Sequence, residues 1–310
     1  MICVPIVGPG MQQALKDLHD AESYADLIEL RLDLIKESDL KQLIDKSRKP
    51  VIVTNRSKKE GGQYKGSEQT RVRSLYQAME FGSNYIDIEA STPRELLQPI
   101  LETECQTKKI LSYHNFSLTP DNLEDFFSIM AETPADIIKI VTYAKEITDN
   151  VVIFNLLRKA QKESKPLIAF CMGDFGEISR ILTTIMGGYL TFGALDSGKE
   201  SAPGQITASN LKNVYRIHRA NRDSKIYGVI GNPVNMDGKS GKSSQSTNDF
   251  AKNLSRNVTI PISFWDERLS TEASFNITKE LGTNVTNRVN KLDENSATFI
   301  LQGAIDYLSN

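Results

Sequence analysis

A lysine stands inside the run Ile137-Ile138-Lys139-Ile140-Val141. Lysine is rarely buried, so such a residue either reaches past its neighbours to water or sits among them. In the second case desolvation disfavours the ammonium and yields an amine that can attack a carbonyl. His114 is one of three histidines and ends the run Ile110-Leu111-Ser112-Tyr113-His114, one β-run earlier. An imidazole there can take a proton and return it elsewhere, or it can be a hydrogen-bonded core residue. His19 and His218 lie in helical stretches and read as surface residues. Taken together, Lys139 and His114 allow an iminium that acidifies the adjacent carbon, a base that removes that proton, and a β-hydroxyl that leaves as water. Aldol cleavage would use the same pair, and spacing does not choose between the two.

Such groups need a frame. Short β-branched runs recur near Ile2–Val7, Asp26–Asp33, Pro50–Arg56, Tyr85–Ala90, Lys109–His114, Asp136–Val141, Pro166–Met172 and Tyr189–Leu195. Each pair of runs leaves room for a crossover helix, which implies parallel pairing. Eight such units predict a closed (β/α)8 barrel of the TIM type, with an open doubly wound sheet as the alternative. Glu29, Arg31, Arg56, Asp87, Glu89, His114 and Lys139 fall mostly toward the C-terminal ends of their runs, where barrel active sites form.

Several short motifs carry a family resemblance. Glu29-Leu30-Arg31-Leu32-Asp33, Thr54-Asn55-Arg56 with Glu60-Gly61-Gly62, and Ser112-Tyr113-His114-Asn115-Phe116 resemble those of type I 3-dehydroquinate dehydratases. So do Lys139-Ile140, Met172-Gly173 with Gly176 and Ser179-Arg180, and Ser201-Ala202-Pro203-Gly204-Gln205. The resemblance implies that Lys139 is the Schiff-base lysine, that His114 is the general acid and base, and that Glu60 orients His114 and sustains its charged form. It implies that Arg180 binds a substrate carboxylate and that Glu29, Arg31 and Arg56 hold ring hydroxyls. Ser201 and Gln205 would lie on a loop that closes over 3-dehydroquinate. No cofactor and no metal are implied, and the family suggests a homodimer.

The chain has 310 residues, with 37 Lys and Arg against 39 Asp and Glu. Balanced charge carries no whole-chain signal for nucleic acid or a membrane. Three cysteines without C-x-x-C spacing fit a reducing compartment, and no apolar run approaches a membrane span. A cytoplasmic location is expected.

Composition shifts after a helical stretch over Ala208 to Ala220. The division predicted is a barrel over 1–222 and an appended α/β segment over 223–310. That segment reads as a strand over Lys225–Val229, a flexible loop over Asn235–Asn248, a helix near Asp249–Leu254, and a strand near Thr259–Trp265. Helices near Thr271–Leu281 and Asn295–Leu308 follow. Lys225 to Val234 looks like the opening strand of shikimate dehydrogenase, without the glycine loop that would continue it. Asn235 to Gly238, Trp265 to Thr271, and Asp293 with Ile300 to Gly303 resemble the C-terminal part of Holliday-junction-resolvase-like nucleases, which have an RNase H-like fold. There Asp293 matches a candidate Mg²⁺ ligand, while Asp266, Glu267 and Arg268 also read as an ion-pair cluster. The family's first strand should precede this segment, and the barrel occupies that place. A partial, inactive nuclease fold is therefore expected, with a nucleic-acid enzyme as the alternative function. Gly238-Lys239-Ser240 and Gly241-Lys242-Ser243 lack the first glycine of a P-loop.

Overall fold

The computed structural model describes residues 1–221, 228–232, 242–256 and 262–266. The chain divides into two compact units, Met1–Asp223 and Ser224–Asn310.

The first unit contains eight strands: β1 (Ile2–Ile6), β2 (Leu27–Arg31), β3 (Val51–Thr54), β4 (Tyr85–Glu89), β5 (Lys108–His114), β6 (Ile137–Tyr143), β7 (Leu167–Met172) and β8 (Thr191–Phe192). They form one parallel sheet in the order β7-β6-β5-β4-β3-β2-β1-β8. The Tyr189 amide donates to the Leu167 carbonyl at 2.8 Å, which brings the chain entering β8 against β7 and draws the barrel shut. Helices α1 (Met11–Ala21), α2 (Leu40–Lys46), α3 (Glu68–Glu80), α4 (Arg94–Glu102), α5 (Leu123–Ala131), α6 (Asp149–Lys162) and α7 (Glu177–Leu182) each cross between successive strands. A short α8 (Ala208–Asn213) follows β8.

Two apolar cores result from the period of two along each strand. Outward side chains such as Val4, Ile28, Val53, Ile88, Leu111 and Ile140 pack against the helices. Inward side chains change character with height. At the N-terminal end lie Cys3, Leu27, Ile52, Ile110, Ile137 and Ile168. Two residues further along each strand the inward positions hold Glu29, Thr54, Asp87, Ser112, Lys139 and Phe170, and two further still Arg31, Arg56, Glu89, His114, Val141 and Met172. An apolar plug therefore carries a polar and charged floor, which faces the mouth where barrel sites lie.

Two expectations are corrected in this unit. Strand β8 is only two residues long, because the Gly193 amide still reaches the Cys3 carbonyl but Ala194 already bridges to Thr207. The helix expected over Ala208–Ala220 ends at Asn213. Arg216 takes a φ of +49°, and this left-handed turn returns Ile217 to the core at 4% exposure.

In the second unit, β9 (Gly228–Asn232) and β10 (Ile262–Asp266) pair in parallel, with α9 (Lys242–Ser255) lying between them in sequence. The flexible loop read over Asn235–Asn248 is thus helical from Lys242 onward; its serines and lysines suggested a linker, yet they also tolerate a helix. Of the strands expected over Lys225–Val229 and near Thr259–Trp265, the described parts are Gly228–Asn232 and Ile262–Asp266. Thr271–Leu281, Asn295–Leu308, Asp293, Glu267 and Arg268 lie outside the described residues. Among the described residues no helix is long and apolar enough to cross a membrane.

Candidate active site

Lys139 lies at the middle inward position of β6 and is 4% exposed. Its amine is not surrounded by apolar groups alone, as its strand neighbours suggested. Nζ donates to Asp87 Oδ2 at 2.8 Å and lies 3.7 Å from Glu29 Oε1, with the Phe192 ring centroid at 4.4 Å. Glu29 is steadied by Thr54, whose hydroxyl donates to Oε1 at 2.8 Å.

Asp87 is the hub that sequence reading noted as a strand-end charge but gave no role. Arg56 Nη2 contacts Asp87 Oδ1 at 2.7 Å, and the Ser112 hydroxyl donates to the same oxygen at 2.7 Å. Burial alone would raise its carboxyl pKa; Arg56 and Lys139 overcome that and hold it well below the usual carboxylate range. Asp87 is therefore a fixed anion. Arg56 in turn reaches Glu89 at 3.2 Å, and Glu89 pairs with the buried Arg71 of α3. An alternating chain Lys139–Asp87–Arg56–Glu89–Arg71 thus runs from the amine out to the helical shell. Arg31 is clamped by Asp33 through two hydrogen bonds of 2.9 and 2.8 Å. Arg31 and Arg56 both line the cavity, and part of each guanidinium is already taken up by protein partners.

His114 ends β5. Its ring Nδ1 lies 2.9 Å from Glu60 Oε2, and its backbone amide donates to the same oxygen at 3.1 Å. The Ser91 hydroxyl donates to Glu60 Oε1 at 2.5 Å. Glu60 reaches this point because Gly61, at φ +80°, turns the chain, and a Cβ there would lie 2.2 Å from the Phe116 ring. With Nδ1 facing Glu60, Nε2 is left as the acceptor.

The charge expected on His114 beside Glu60 is opposed by the other surroundings of the ring. Burial lowers the imidazole pKa well below its ordinary value, and Arg56 and Lys139 push the same way. Burial also raises Glu60 to about 7, against the Ser91 hydrogen bond and Arg56. At neutral pH the imidazole therefore carries no charge.

These shifts predict a dependence of stability on pH. The folded Glu60 binds its proton more tightly than the unfolded residue, so its contribution is complete below its ordinary value of 4.5 and is lost as pH rises through about 7. His114 runs the opposite way, its contribution present above 6.5 and lost as pH falls. The stability of Glu60→Gln relative to the wild type should therefore rise by about 2 kcal/mol between pH 5 and pH 7. Urea midpoints at the two pH values measure this; a level difference would mean that Glu60 is ionised throughout.

Arg180, on α7, is 1% exposed and stacks over Phe170 at 4.6 Å. Burial lowers its pKa to about 10, which still leaves it charged at neutral pH. Among the described residues no carboxylate pairs with it. Nη2 donates to the Pro203 carbonyl at 3.1 Å, and Nε has no partner. A buried guanidinium left in this state fits an incoming carboxylate.

The loop after β8 closes the remaining side. Ser201 donates to Gln205 Oε1 through its amide at 2.8 Å and its hydroxyl at 3.2 Å, while the Gln205 amide nitrogen has no partner. Gly204, at φ +68°, lies so close to Gly173 that a Cβ would sit 2.6 Å from its carbonyl oxygen. One cavity is lined by Glu29, Arg31, Arg56, Glu60, His114, Lys139, Arg180, Ser201 and Gln205, so all nine residues singled out from sequence converge there. Met172, which opens one of the motifs, joins Phe170 and Phe192, which no motif marked, in an apolar wall.

An amine, a neutral imidazole and one spare guanidinium at the C-terminal mouth of a barrel define an enzyme of carbonyl chemistry. The chain belongs to the type I 3-dehydroquinase family, whose pattern matches residues 2–222. Among curated relatives, a 3-dehydroquinate dehydratase of Methanococcus maripaludis is 33% identical over 221 residues, covering 70% of this chain and 99% of that protein. One from Desulfotalea psychrophila is 36% identical, covering 69% and 96%. The chloroplastic bifunctional 3-dehydroquinate dehydratase/shikimate dehydrogenase of Arabidopsis thaliana is 42% identical over 242 residues; the match spans 76% of this chain but only 40% of that protein. A crystal structure of the type I enzyme from Clostridium difficile superposes with a TM-score of 0.64 at 28% identity, covering 70% of this chain and 91% of the other. A pattern described as Holliday junction resolvase matches residues 197–307 and so overlaps the barrel match. The structure places residues 197–221 of that overlap in the barrel unit, including α8.

Proposed function

We propose that the chain is a 3-dehydroquinate dehydratase that removes water through a Schiff base on Lys139. The observation that carries this reading is the buried contact of the Lys139 amine with Asp87 in the same cavity as a neutral His114 and an unpaired Arg180.

The substrate carboxylate meets Arg180, which sets its ketone toward Lys139. The ammonium lets go of Asp87 and passes a proton to the ketone oxygen, the freed amine attacks the ketone carbon, and that oxygen leaves as water to form the iminium. That iminium carries the same charge as the ammonium it replaces. Asp87 and Glu29 therefore oppose a cation before and after, without reorganisation. His114 Nε2 takes the proton from the carbon beside the iminium, and Glu60 balances the imidazolium that forms. The β-hydroxyl departs as water on receiving the proton back from His114. Hydrolysis then frees the conjugated ketone and the amine. Glu29, Arg31 and Arg56 hold ring hydroxyls with the donors and acceptors their internal partners leave over. Ser201 and Gln205 complete the cover. No cofactor or metal takes part in this scheme.

Purified protein given 3-dehydroquinate should develop the ultraviolet absorbance of a conjugated enone. An intact substrate after prolonged incubation with folded protein would remove the reading.

Three further points belong to this reading. The barrel over 1–222 is one domain and 223–310 a second, appended to it. The match to the bifunctional Arabidopsis protein is longer than the span 2–222, which supports a shikimate-dehydrogenase-like start to the second segment. Free Cys3, Cys105 and Cys171 support a reducing, cytoplasmic setting, and the family resemblance supports a homodimer.

A further inference from the structure

Helix α1 turns one face to the barrel and buries Ala14, Asp17, Leu18 and Ala21. Asp17 is out of character on that face. Its side chain is 1% exposed, and a buried carboxylate is costly unless paired. Its partner does not come from a neighbouring strand or helix. Lys199, 182 residues away on the loop that follows β8, reaches back and donates to Asp17 Oδ1 at 2.7 Å. Gln13 donates to the same oxygen at 2.8 Å. Gly8, just past β1, leaves the room, since a Cβ there would lie 3.0 Å from Asp17 Oδ2.

Lys199 is two residues before Ser201 and six before Gln205. Its amine also lies 3.6 Å from Asp196 Oδ2, and its amide donates to the Asp196 carbonyl at 3.1 Å. On the other side of the loop, Pro203 is held by the Gly173 amide at 3.3 Å and by Arg180 at 3.1 Å. The loop is thus pinned just before Ser201 and again between Ser201 and Gln205, and the first of those pins is an ion pair with a buried acid.

We propose that Asp17 and Lys199 are positioning residues for the substrate: the buried carboxylate latches the loop over the cavity and fixes where Ser201 and Gln205 stand. Neither residue lines the cavity. They act through the loop, so their loss weakens the closed arrangement and leaves Lys139 and His114 in place. A contact that helps substrate and transition state alike appears in KM, and kcat follows the untouched chemistry.

Two readouts on the full-length protein test this, and only the second rests on the dehydratase reading. The first is tryptic cleavage after Lys199, followed by mass spectrometry. Asp17→Asn keeps the shape and the bond to Gln13 while removing the charge, and it should be cut there at least about tenfold faster than the wild type. The second is steady-state kinetics with 3-dehydroquinate. Asp17→Asn and Lys199→Met should each raise KM by about tenfold with kcat within about threefold, and Lys199→Arg should restore the wild-type value. Unchanged cleavage in Asp17→Asn would overturn the latch, whatever the activity. Lowered melting temperature with unchanged KM would reduce the pair to a structural tie and overturn it equally. Should the wild type itself fail to turn over, the dehydratase reading fails and the cleavage rates still decide the latch.

Discussion

Lys139→Ala is expected to lower turnover by about four orders of magnitude or more, and to abolish borohydride trapping of substrate on the protein. In the proposed mechanism its amine is the nucleophile, and among the described residues no second lysine lines the cavity to replace it. The change also leaves Asp87 and Glu29 facing each other without the cation between them. Asp87 keeps Arg56 and Ser112 as partners, so the barrel floor holds together and the loss is one of chemistry. Single-turnover mixing with borohydride, read as the mass of the intact protein, measures this. A full-rate alanine variant would sink the covalent mechanism.

His114→Ala is expected to reduce kcat by about a hundred- to ten-thousandfold, the usual share of a positioned acid or base. The contrast with Lys139 is in the trapping. The amine, Asp87 and Arg180 are untouched, so the variant should still form the iminium and yield a reduced adduct. It would capture the substrate and fail to remove its proton. The other histidines, His19 and His218, are exposed and do not line the cavity, so neither can take over. Loss of the adduct together with turnover would mean that the imidazole serves addition to the ketone, not elimination.

The barrel itself was legible because parallel strands covered on both faces leave runs of Ile, Val and Leu that few other elements produce. The nine site residues were legible from motif resemblance, and period-two alternation places Glu29, Arg31, His114 and Lys139 on one face of their strands. What stayed hidden was the pairing between strands. Adjacent strands of a barrel are staggered, so Ser112 aligns with Lys139 but Glu89, not Asp87, aligns with Ser112. No single-strand pattern discloses that offset. Asp87 therefore read as one more charged strand end, when it is the counter-charge to the amine. The surroundings of His114 stayed hidden for a related reason. Sequence pointed to one carboxylate beside it, whereas the fold adds burial, Arg56 and Lys139. Asp17 and Lys199 gave no signal, since 182 residues separate them and each alone looks like an ordinary helix or loop charge.

The way Arg180 is held has a consequence for ligand choice. Its Nη2 edge is committed to the carbonyl of Pro203, and every other cation in the cavity already faces a carboxylate of the protein. The chamber has room electrically for a single negative charge. A mono-acid satisfies it, whereas a phosphorylated sugar or a second acid group would bring a surplus that Glu29, Glu60, Asp87 and Glu89 repel. Analogues bearing two anionic groups should therefore be poor occupants, and a compound meant to seize this chamber should carry one carboxylate and otherwise uncharged hydroxyls.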